Sequence, residues 1–361
     1  MSTGITICYL RTVLGTLQRI ECMDTADSQA DERFIELQSW LQDLGGFDVS
    51  SLRPASGDAS FRRYFRVNSS DGTYVVMDAP PGKEDCGPFM QIAAFLQQMR
   101  LNGPRILQTN VASGFLLLSD LGSTQYLAAL REQPARAGPL YADALRALAI
   151  LQARGGEFQR QLPPYDEKLL RFELSLFRDW LCEKHLDLRF DSAESGEWQR
   201  SCDLLVSSAR NQPKVFVHRD YHSRNLMVVA DNNPGILDFQ DAVEGPLTYD
   251  LVSLLKDCYI SWPAQQVKEW ALSFRSESEE GKAMSRQQFL RCFELMGVQR
   301  QLKAAGIFAR LNHRDGKPSY MRDIPRTLNY VVEIAARYAE LGFLAKVISE
   351  RVLPELRVRP Q

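Results

Sequence analysis

The stretch that decides the fold is His218-Arg219-Asp220-Tyr221-His222-Ser223-Arg224-Asn225, with Asp238 following thirteen residues after Asn225 in Leu237-Asp238-Phe239-Gln240-Asp241. Short apolar runs flank these polar pieces at residues 215–217, 226–229 and 235–237. Such runs predict short strands, so the polar residues are expected in the loops between them. Three oxygen-bearing side chains, Asp220, Asn225 and Asp238, therefore lie in one β-rich insert.

The joint spacing of these three side chains suits phosphoryl transfer from ATP. The nucleotide brings concentrated negative charge that Mg²⁺ neutralises, and this metal takes oxygen ligands, one or two of them from side chains. Asn225 and Asp238 supply one neutral and one charged oxygen, and Asp220 can orient the attacking hydroxyl and accept its proton. Asp and Asn are also common turn residues. The full spacing nevertheless predicts Asp220 as the catalytic residue and Asn225 and Asp238 as metal ligands.

Two histidines of the same stretch have less certain roles. His218 is predicted to organise the loop by hydrogen bonding, because Asp220 already holds the position of the base. His222 either reaches the substrate or caps the loop, and it is kept as a candidate substrate-binding residue.

The composition is that of an ordinary globular protein, and it excludes several classes. The chain has 361 residues, 45% of them apolar and 24% charged, with a net charge of −2. A chain so close to neutral is not expected to bind nucleic acid or an anionic membrane surface generally. No apolar run approaches the length of a membrane span. The seven scattered cysteines indicate reduced thiols in a cytoplasmic protein.

Hydrophobic periodicity predicts an α+β protein with two lobes. A helix is expected at 29–44, a hairpin of strands at 64–67 and 74–77 around Asp71-Gly72, a helix at 85–101 and a buried strand at 115–118. Beyond Leu121 the helical patterns are those of residues 139–153, 166–187, 194–210, 249–260, 285–303 and 325–348, interrupted only by the β-rich insert at 214–240. The small N-terminal lobe is thus β-rich and the larger C-terminal lobe mostly helical.

The predicted domain boundaries follow from this change of pattern. Residues 1–27 are expected to be an N-terminal extension, with disorder left open. Residues 28–118 form the small nucleotide-binding lobe, 119–122 the hinge, and 123–361 the large catalytic and substrate-binding lobe.

Residues 218–238 resemble the aminoglycoside-phosphotransferase and choline-kinase-like branch of the protein-kinase fold, and the resemblance extends over roughly residues 28–345. Gly245-Pro246-Leu247-Thr248-Tyr249-Asp250-Leu251 resembles the segment that follows the metal aspartate in that family. The resemblance implies a two-lobed kinase-like fold and the use of ATP and Mg²⁺. It also implies that Asp250 organises the catalytic loop without touching the substrate. An acid favoured by a helix N-terminus is an equally compatible role for Asp250.

The candidate nucleotide site is carried by two segments of the small lobe and hinge. Residues 56–64 lie where this fold has its nucleotide-binding loop, and their glycine and small residues would let backbone N–H groups approach phosphates. The hinge at 116–122 would offer backbone groups and leucine side chains to adenine. The candidate nucleotide-binding residues are Ser56, Gly57, Ser60, Arg62, Leu118, Asp120 and Leu121.

One departure from the family concerns the phosphates. Its second strand ordinarily carries a lysine that pairs with ATP phosphates and a helix glutamate, but residues 74–80 contain no lysine, and the following helix offers Gln91. Either Arg62, Arg63 or Lys83 binds the phosphates in place of this lysine, or Mg²⁺ neutralises more of the phosphate charge.

Within the branch, several segments resemble the bacterial anomeric amino-sugar kinases. They are ASGDASFRRYFR (55–66), MDAPP (77–81), LDFQDA (237–242), QRQLK (299–303) and GIFARL (306–311). The resemblance implies ATP-dependent phosphorylation of the C1 hydroxyl of N-acetylmuramate and N-acetylglucosamine in peptidoglycan recycling. The α-1-phosphate product would pass to a nucleotidyltransferase linked through the product only.

An N-acetylmuramate carboxylate would need a cation. The candidates, around a polar turn expected at residues 312–319, are Arg310, His313, Arg314 and Lys317, of which Arg310 and His313 are carried as substrate-binding residues. Each of them could equally be a solvated charge at a helix end.

Two alternative functions stay open. The chain could be a kinase of another small alcohol or an aminoglycoside, or, since the strand lysine is missing, a non-catalytic nucleotide-binding scaffold. A protein kinase is disfavoured, because Asp238-Phe239-Gln240 runs into Tyr249 without a long activation segment or an Ala-Pro-Glu motif.

Overall fold

A computed structural model describes residues 32–57 and 61–358. The predicted extension at 1–27 lies outside the described residues. The chain divides into two compact units, the smaller comprising residues up to Asp85 together with Leu107–Asp120, and the larger comprising Cys86–Ile106 and the chain from Leu121 onward.

The smaller unit is a five-stranded sheet with one packed helix. Helix α1 covers residues 32–44, and the strands are β1 (Phe47–Gly57), β2 (Arg63–Ser69), β3 (Gly72–Asp78), β4 (Ile106–Asn110) and β5 (Phe115–Ser119), in the order β1-β2-β3-β5-β4. The predicted hairpin is confirmed, since β2 and β3 pair antiparallel with Ser69 opposite Gly72. Its Gly72 has a φ of 147°, which a side chain would strain.

The core of this unit forms between α1 and one face of the sheet. Alternate positions of a strand share a face, so β2 contributes Phe65 and Val67 together. The buried cluster consists of Leu37, Leu41, Phe65, Val67, Val76, Phe115 and Leu117. Burial of each such side chain stabilises the unit by roughly 1.5–3 kcal/mol.

The larger unit is mostly helical. Its helices are α2 (Cys86–Gln98), α3 (Tyr126–Glu132), α4 (Ala137–Gly155), α5 (Glu167–Leu176), α6 (Ser192–Arg210), α7 (Tyr249–Leu255), α8 (Ala264–Glu277), α9 (Glu279–Ala283), α10 (Arg286–Asp315), α11 (Ile324–Ala335), α12 (Gly342–Val347) and α13 (Leu353–Val358). A π-helical stretch, Phe177–His185, continues α5. Four short strands interrupt the helices: β6 (Lys214–Val217), β7 (Leu226–Met227), β8 (Gly235–Ile236) and β9 (Val243–Pro246).

Helix α10 is the central element of this unit. Ser285 begins it with a capping box closed by Gln288, and Gly316, at a φ of 63°, ends it. It packs tightly against the end of α5 at Gly306, where an added Cβ would lie 2.3 Å from the carbonyl carbon of Leu176. The polar turn expected at 312–319 is wrong in its first half: the helix continues through Asp315, because no glycine or proline breaks it before Gly316.

Two strands of the smaller unit escaped prediction. β1 carries Asp48, three serines and Pro54, a composition typical of a loop. Its pairing with β2 is irregular between Asp48 and Arg53 and between Pro54 and Ser56. It is an edge strand, where polar residues and proline are tolerated because one side of the backbone is unpaired. β4 has only five residues, three of them exposed.

Among the described residues, no helix combines the length and apolarity that crossing a membrane requires.

Candidate active site

The pairing of the four short strands brings the predicted site residues together. β6 pairs with β9 and places Val217 opposite Val243, while β7 pairs with β8 and places Leu226 opposite Ile236. Residues 218–225 and 237–242 therefore leave these ladders at the same end. The Leu237 N–H also donates to the Asn225 carbonyl at 2.9 Å. We call residues 218–225 the catalytic loop.

Asn225 connects the three predicted residues. Its Nδ2 donates to the Asp220 carbonyl at 3.0 Å and to Asp238 Oδ2 at 3.1 Å. Gln240 Nε2 donates to Asp238 Oδ1 at 2.8 Å. These bonds leave Asn225 Oδ1 without a hydrogen-bond partner among the described residues. Asp220, Asn225 and Asp238, all half-buried, thus form one cluster, and their catalytic and metal-binding roles stay predictions.

The buried carboxylate of Asp250 holds the start of the catalytic loop. Its two oxygens accept the N–H groups of His218 at 2.6 Å and Arg219 at 3.0 Å. Arg219 has a φ of 77°, in the left-handed region that side chains rarely adopt. This strained conformation turns both consecutive N–H groups toward one carboxylate. Burial raises the pKa of Asp250 to about 7, while the hydrogen bonds from the two N–H groups act in the opposite direction and lower it.

The Asp250→Asn substitution is expected to lower the free energy of unfolding by about 1–3 kcal/mol, because an amide has only one acceptor oxygen and leaves one buried N–H unsatisfied. Urea denaturation at pH 8, where the carboxyl is ionised, measures the change. Asp241→Asn, at an exposed position, is the matched control and should stay within about 0.5 kcal/mol. Equal stabilities for the two variants would contradict the anchoring role.

His218 contributes to the organisation of the loop. Its Nδ1 accepts the Asp220 N–H at 3.2 Å, which places the ring proton on Nε2. Burial lowers the pKa of His218 to about 4, so the ring is neutral at pH 7. This arrangement agrees with the role predicted from the sequence.

A second buried carboxylate, Asp257, holds the other half of the loop. It accepts the N–H and the hydroxyl of Ser223, and its other oxygen accepts the Tyr259 N–H at 2.8 Å. The His222 ring packs against Tyr259 with 5.4 Å between ring centroids. Two anchors, Asp250 and Asp257, therefore fix both halves of the catalytic loop.

A buried ion cluster lies behind the loop. Glu173 of α5 pairs with Arg219 at 2.7 Å and with Lys303 of α10 at 3.0 Å. It also accepts hydrogen bonds from the Tyr165 hydroxyl and from Gln299 Nε2. Four donors thus converge on one carboxylate, and the cluster links two helices to the loop.

The positive charges of this cluster act on Asp220. Burial by itself would raise the pKa of Asp220, but Lys303, His222, Arg300 and Arg219 more than offset it, and the pKa lies below its ordinary value. Asp220 is therefore ionised at neutral pH. Such a carboxylate accepts a hydrogen bond from a hydroxyl and takes its proton late, as the bond to phosphorus forms.

Sequence analysis missed Glu173, Lys303, Gln299 and the anchor Asp257. The available signal was the run QRQLK (299–303), which places polar residues on consecutive positions of a helix that are all buried in the structure. Periodicity alone interprets such residues as a solvated helix face.

The predicted nucleotide-binding residues divide between the two units. Ser60 lies outside the described residues, and for Ser56 and Gly57 the structure describes the backbone, which pairs with β2. Leu118 is buried in β5, and Leu121 belongs to the larger unit, where it lies against Gly235.

The charged residues of the smaller unit are paired among themselves. Arg62 forms an ion pair with Glu84 at 2.9 Å, and the Asp120 carboxylate pairs with Arg66. At the end of β3, where the family lysine is missing, the buried Asp78 carboxylate binds Arg33 and Arg63. Lys83 lies over the Phe61 ring at 5.2 Å. The nucleotide contacts of these residues stay predictions.

The predicted substrate cations lie on the C-terminal part of α10. His313 is exposed, and its Nε2 is 3.1 Å from Nδ1 of His185. Arg310 is half-buried, and Arg314 pairs with its neighbour Asp315 at 2.7 Å. A substrate role for Arg310, His313 and His222 stays a prediction.

The spacing of Asp220, Asn225 and Asp238 recurs in protein kinases, where the first meets the acceptor hydroxyl and the others hold magnesium. Together with the small β-rich unit and the larger helical one, it classes the protein among the kinase-like phosphotransferases.

Comparison with known proteins agrees with this class. The chain matches the phosphotransferase enzyme family over residues 51–286 and belongs to that family. It is 46% identical to the N-acetylmuramate/N-acetylglucosamine kinase of Pseudomonas aeruginosa over 333 residues, 88% of this chain and 97% of the relative.

Solved structures show the same fold. A choline kinase of Streptococcus pneumoniae superposes with a TM-score of 0.58 at 11% identity, covering 84% of this chain and 98% of that one. An ADP-bound aminoglycoside phosphotransferase gives 0.54 at 15% identity, with coverage of 84% and 98%. The fold class and the family expected from the sequence are confirmed.

Proposed function

We propose that the protein is an ATP-dependent sugar kinase that phosphorylates the anomeric hydroxyl of N-acetylmuramate and N-acetylglucosamine. The observation that carries the proposal is the 46% identity to a kinase of that name over 88% of the chain. The hydrogen-bonded cluster of Asp220, Asn225 and Asp238 supports a phosphoryl-transfer site in the same segment.

The electrostatics of Asp220 suit this acceptor. An anomeric hydroxyl is more acidic than an ordinary sugar hydroxyl, so a carboxylate with a lowered pKa suffices to orient it and to take its proton. Asp220 holds the hydroxyl in line with the γ-phosphate. Because the catalytic loop is already fixed, the reaction does not require the entropy cost of ordering Asp220.

The Asn225–Asp238 pair fits Mg²⁺. Asn225 Oδ1 has no hydrogen-bond partner among the described residues, and Nδ2 of the same amide donates to Asp238 Oδ2 at 3.1 Å, so an amide and a carboxylate that both carry hard oxygens are neighbours. Magnesium typically takes one or two protein ligands and fills its remaining positions with phosphates and water. When bound, it neutralises charge on the phosphates. Asn225 and Asp238 are the residues that would hold it.

ATP is the proposed phosphoryl donor. The ADP bound to the aminoglycoside phosphotransferase of the same fold supports a nucleotide. Ser56, Gly57, Ser60, Arg62, Leu118, Asp120 and Leu121 are proposed as its contacts. The α-1-phosphate would be consumed by a nucleotidyltransferase, and a cytoplasmic location would supply ATP.

The Asp238→Asn substitution is expected to raise the Mg²⁺ concentration for half-maximal activity by about tenfold or more, since even partners outside the coordination shell change metal affinity by about 10–100-fold. A magnesium titration at saturating ATP and sugar measures it. Asp231→Asn, at an exposed turn position, should titrate like the wild type. An unchanged magnesium requirement in the Asp238 variant would remove it from the metal site.

The direct test is phosphorus NMR of the product formed from N-acetylmuramate, ATP and Mg²⁺, together with sugar-dependent ADP release. A sugar 1-phosphate signal is expected, and N-acetylglucosamine should give the corresponding product. Turnover only of choline or an aminoglycoside, or ATP binding without transfer to any acceptor, would overturn the proposal.

A further inference from the structure

The catalytic loop carries a cation that the chemistry described above does not use. The guanidinium of Arg224 lies 4.8 Å from the centre of the Tyr259 ring and 5.6 Å from that of Tyr320, and the residue is half-buried. Within residues 32–57 and 61–358 no carboxylate forms an ion pair with it. Its neighbour on the loop, Arg219, is by contrast neutralised by Glu173.

The surroundings hold Arg224 in place. Asp257 binds both the preceding Ser223 and the backbone of Tyr259, so the residue and the ring beneath it share one anchor. Phe308 of α10 stacks on Tyr320 at 5.6 Å with 24° between the planes. The two rings attract the guanidinium, and the Tyr259 and Tyr320 side chains also hydrogen-bond it. A guanidinium has five N–H donors, so further donors remain for a ligand. We call Arg224, Tyr259, Tyr320 and Phe308 the arginine platform.

The arginine platform lies next to the proposed point of reaction. Arg224 directly precedes Asn225 and lies four positions after Asp220, which limits the distance between the Cα atoms of Arg224 and Asp220 to about 14 Å. The loop is also folded back on itself, because the His222 N–H binds the Asp220 carbonyl at 3.0 Å and the Asn225 N–H binds the His222 carbonyl at 2.9 Å. A sugar whose hydroxyl meets Asp220 would therefore place its other substituents within reach of this cation.

The charge identifies the ligand chemistry. A half-buried guanidinium that has no carboxylate partner among the described residues is suited to a carboxylate, which it can bind through two parallel N–H donors. N-acetylmuramate and N-acetylglucosamine differ by a lactyl ether that ends in a carboxylate. We propose that Arg224, on the arginine platform, binds the carboxylate of N-acetylmuramate and sets the preference between the two sugars. This inference rests on the proposed function.

The test compares both sugars with the full-length protein. For Arg224→Gln, the ratio of kcat/KM for N-acetylmuramate to that for N-acetylglucosamine should fall by roughly 10- to 100-fold, the size expected for losing a charged hydrogen-bond partner. Arg224→Lys should recover part of the ratio, because it keeps the charge but loses the second donor. Arg200→Gln is the control: Arg200 is an exposed arginine of α6 paired with Glu197, and its ratio should match the wild type.

A second arm changes the substrate in place of the protein. The methyl ester of N-acetylmuramate lacks the charge, so the wild type should use it at least about tenfold less well than the acid. Arg224→Gln should use the ester and the acid about equally. The wild-type comparison tests whether the protein recognises the carboxylate even if the variants fold poorly.

The contradicting results are distinct from those that would end the proposed function. A fall of the same size for both sugars would indicate a contact with the nucleotide phosphates or a distorted loop, and an unchanged ratio would leave the carboxylate to other cations such as Arg310. Equal wild-type use of acid and ester would also overturn the inference. In all three cases sugar phosphorylation itself stands, whereas a wild type that phosphorylates neither sugar refutes the proposed function.

Discussion

Replacing Asp220 with asparagine is expected to lower kcat by about 10²- to 10⁴-fold, the usual contribution of a positioned general base. An asparagine keeps the backbone bonds to His218 and Asn225, since these use the main chain of residue 220. It cannot accept the hydroxyl proton. The loss should therefore appear in the chemical step, while ATP binding and the midpoint of thermal unfolding stay close to those of the wild type.

Single-turnover kinetics and ATP titration together measure this outcome. Asp231→Asn removes an exposed carboxylate from the turn between β7 and β8, and it should keep full activity. If the Asp220 variant retained kcat within tenfold of the wild type, another group would have to receive the proton. A loss of activity with a parallel loss of stability would instead indicate that the side chain mainly supports the fold.

Glu173→Ala is expected to lower the free energy of unfolding by about 3–5 kcal/mol, the cost of leaving buried charges without a partner. Arg219 and Lys303 both lose their counter-ion. Lys303 is buried, and its hydrogen bond to the Tyr249 hydroxyl at 2.8 Å does not replace the lost charge. The variant should also lose activity, because the cations it releases surround Asp220. Urea denaturation at pH 7 measures the change in the free energy of unfolding.

The pH dependence gives a second check on Glu173. Burial would raise its pKa, but Lys303 and Arg219 more than offset burial and hold the pKa below the ordinary value of a glutamate. The unfolded state therefore binds the proton more readily. The stabilisation is present in full above the unfolded pKa and is lost as the pH falls through the folded pKa. The difference in the free energy of unfolding between the wild type and Glu173→Ala should accordingly become smaller as the pH falls.

Glu167, on the same helix, provides a matched control. It pairs with Arg171 and Arg210 at the surface, with its side chain 43% exposed. Ion pairs of this kind contribute about 0–1 kcal/mol because water screens them. Glu167→Ala should therefore change stability by no more than about 1 kcal/mol. Similar losses at positions 167 and 173 would contradict the distinction between surface pair and buried cluster.

Local spacing made the central part of the site predictable. Asp220 and Asn225 lie on one loop, and Asp238 follows the next hairpin, so the short strands alone bring them together. The β2–β3 hairpin was predictable for a similar reason, since Asp71-Gly72 specifies a tight turn. In each case the residues that interact are close in sequence.

The supporting groups could not be found in this way. Glu173 and Lys303 come from helices 130 residues apart and meet only when α5 packs on α10. A charged residue in a helical pattern is ordinarily interpreted as exposed, and nothing in the local sequence indicates that these two neutralise each other. β1 escaped for a different reason, because an edge strand with Pro54 has the composition of a loop.

The contact at Gly306 connects helix packing to reactivity. Gly306 lies three residues, about one helical turn, beyond Lys303, and Leu176 lies three residues beyond Glu173. A hydrogen atom is all that fits between α10 and the Leu176 backbone there. Any larger group at 306 would wedge the two helices apart and lengthen the ion pair one turn away. In laboratory evolution toward new acceptors, a methyl group added at position 306 can therefore change the proton affinity of Asp220 without contacting a substrate.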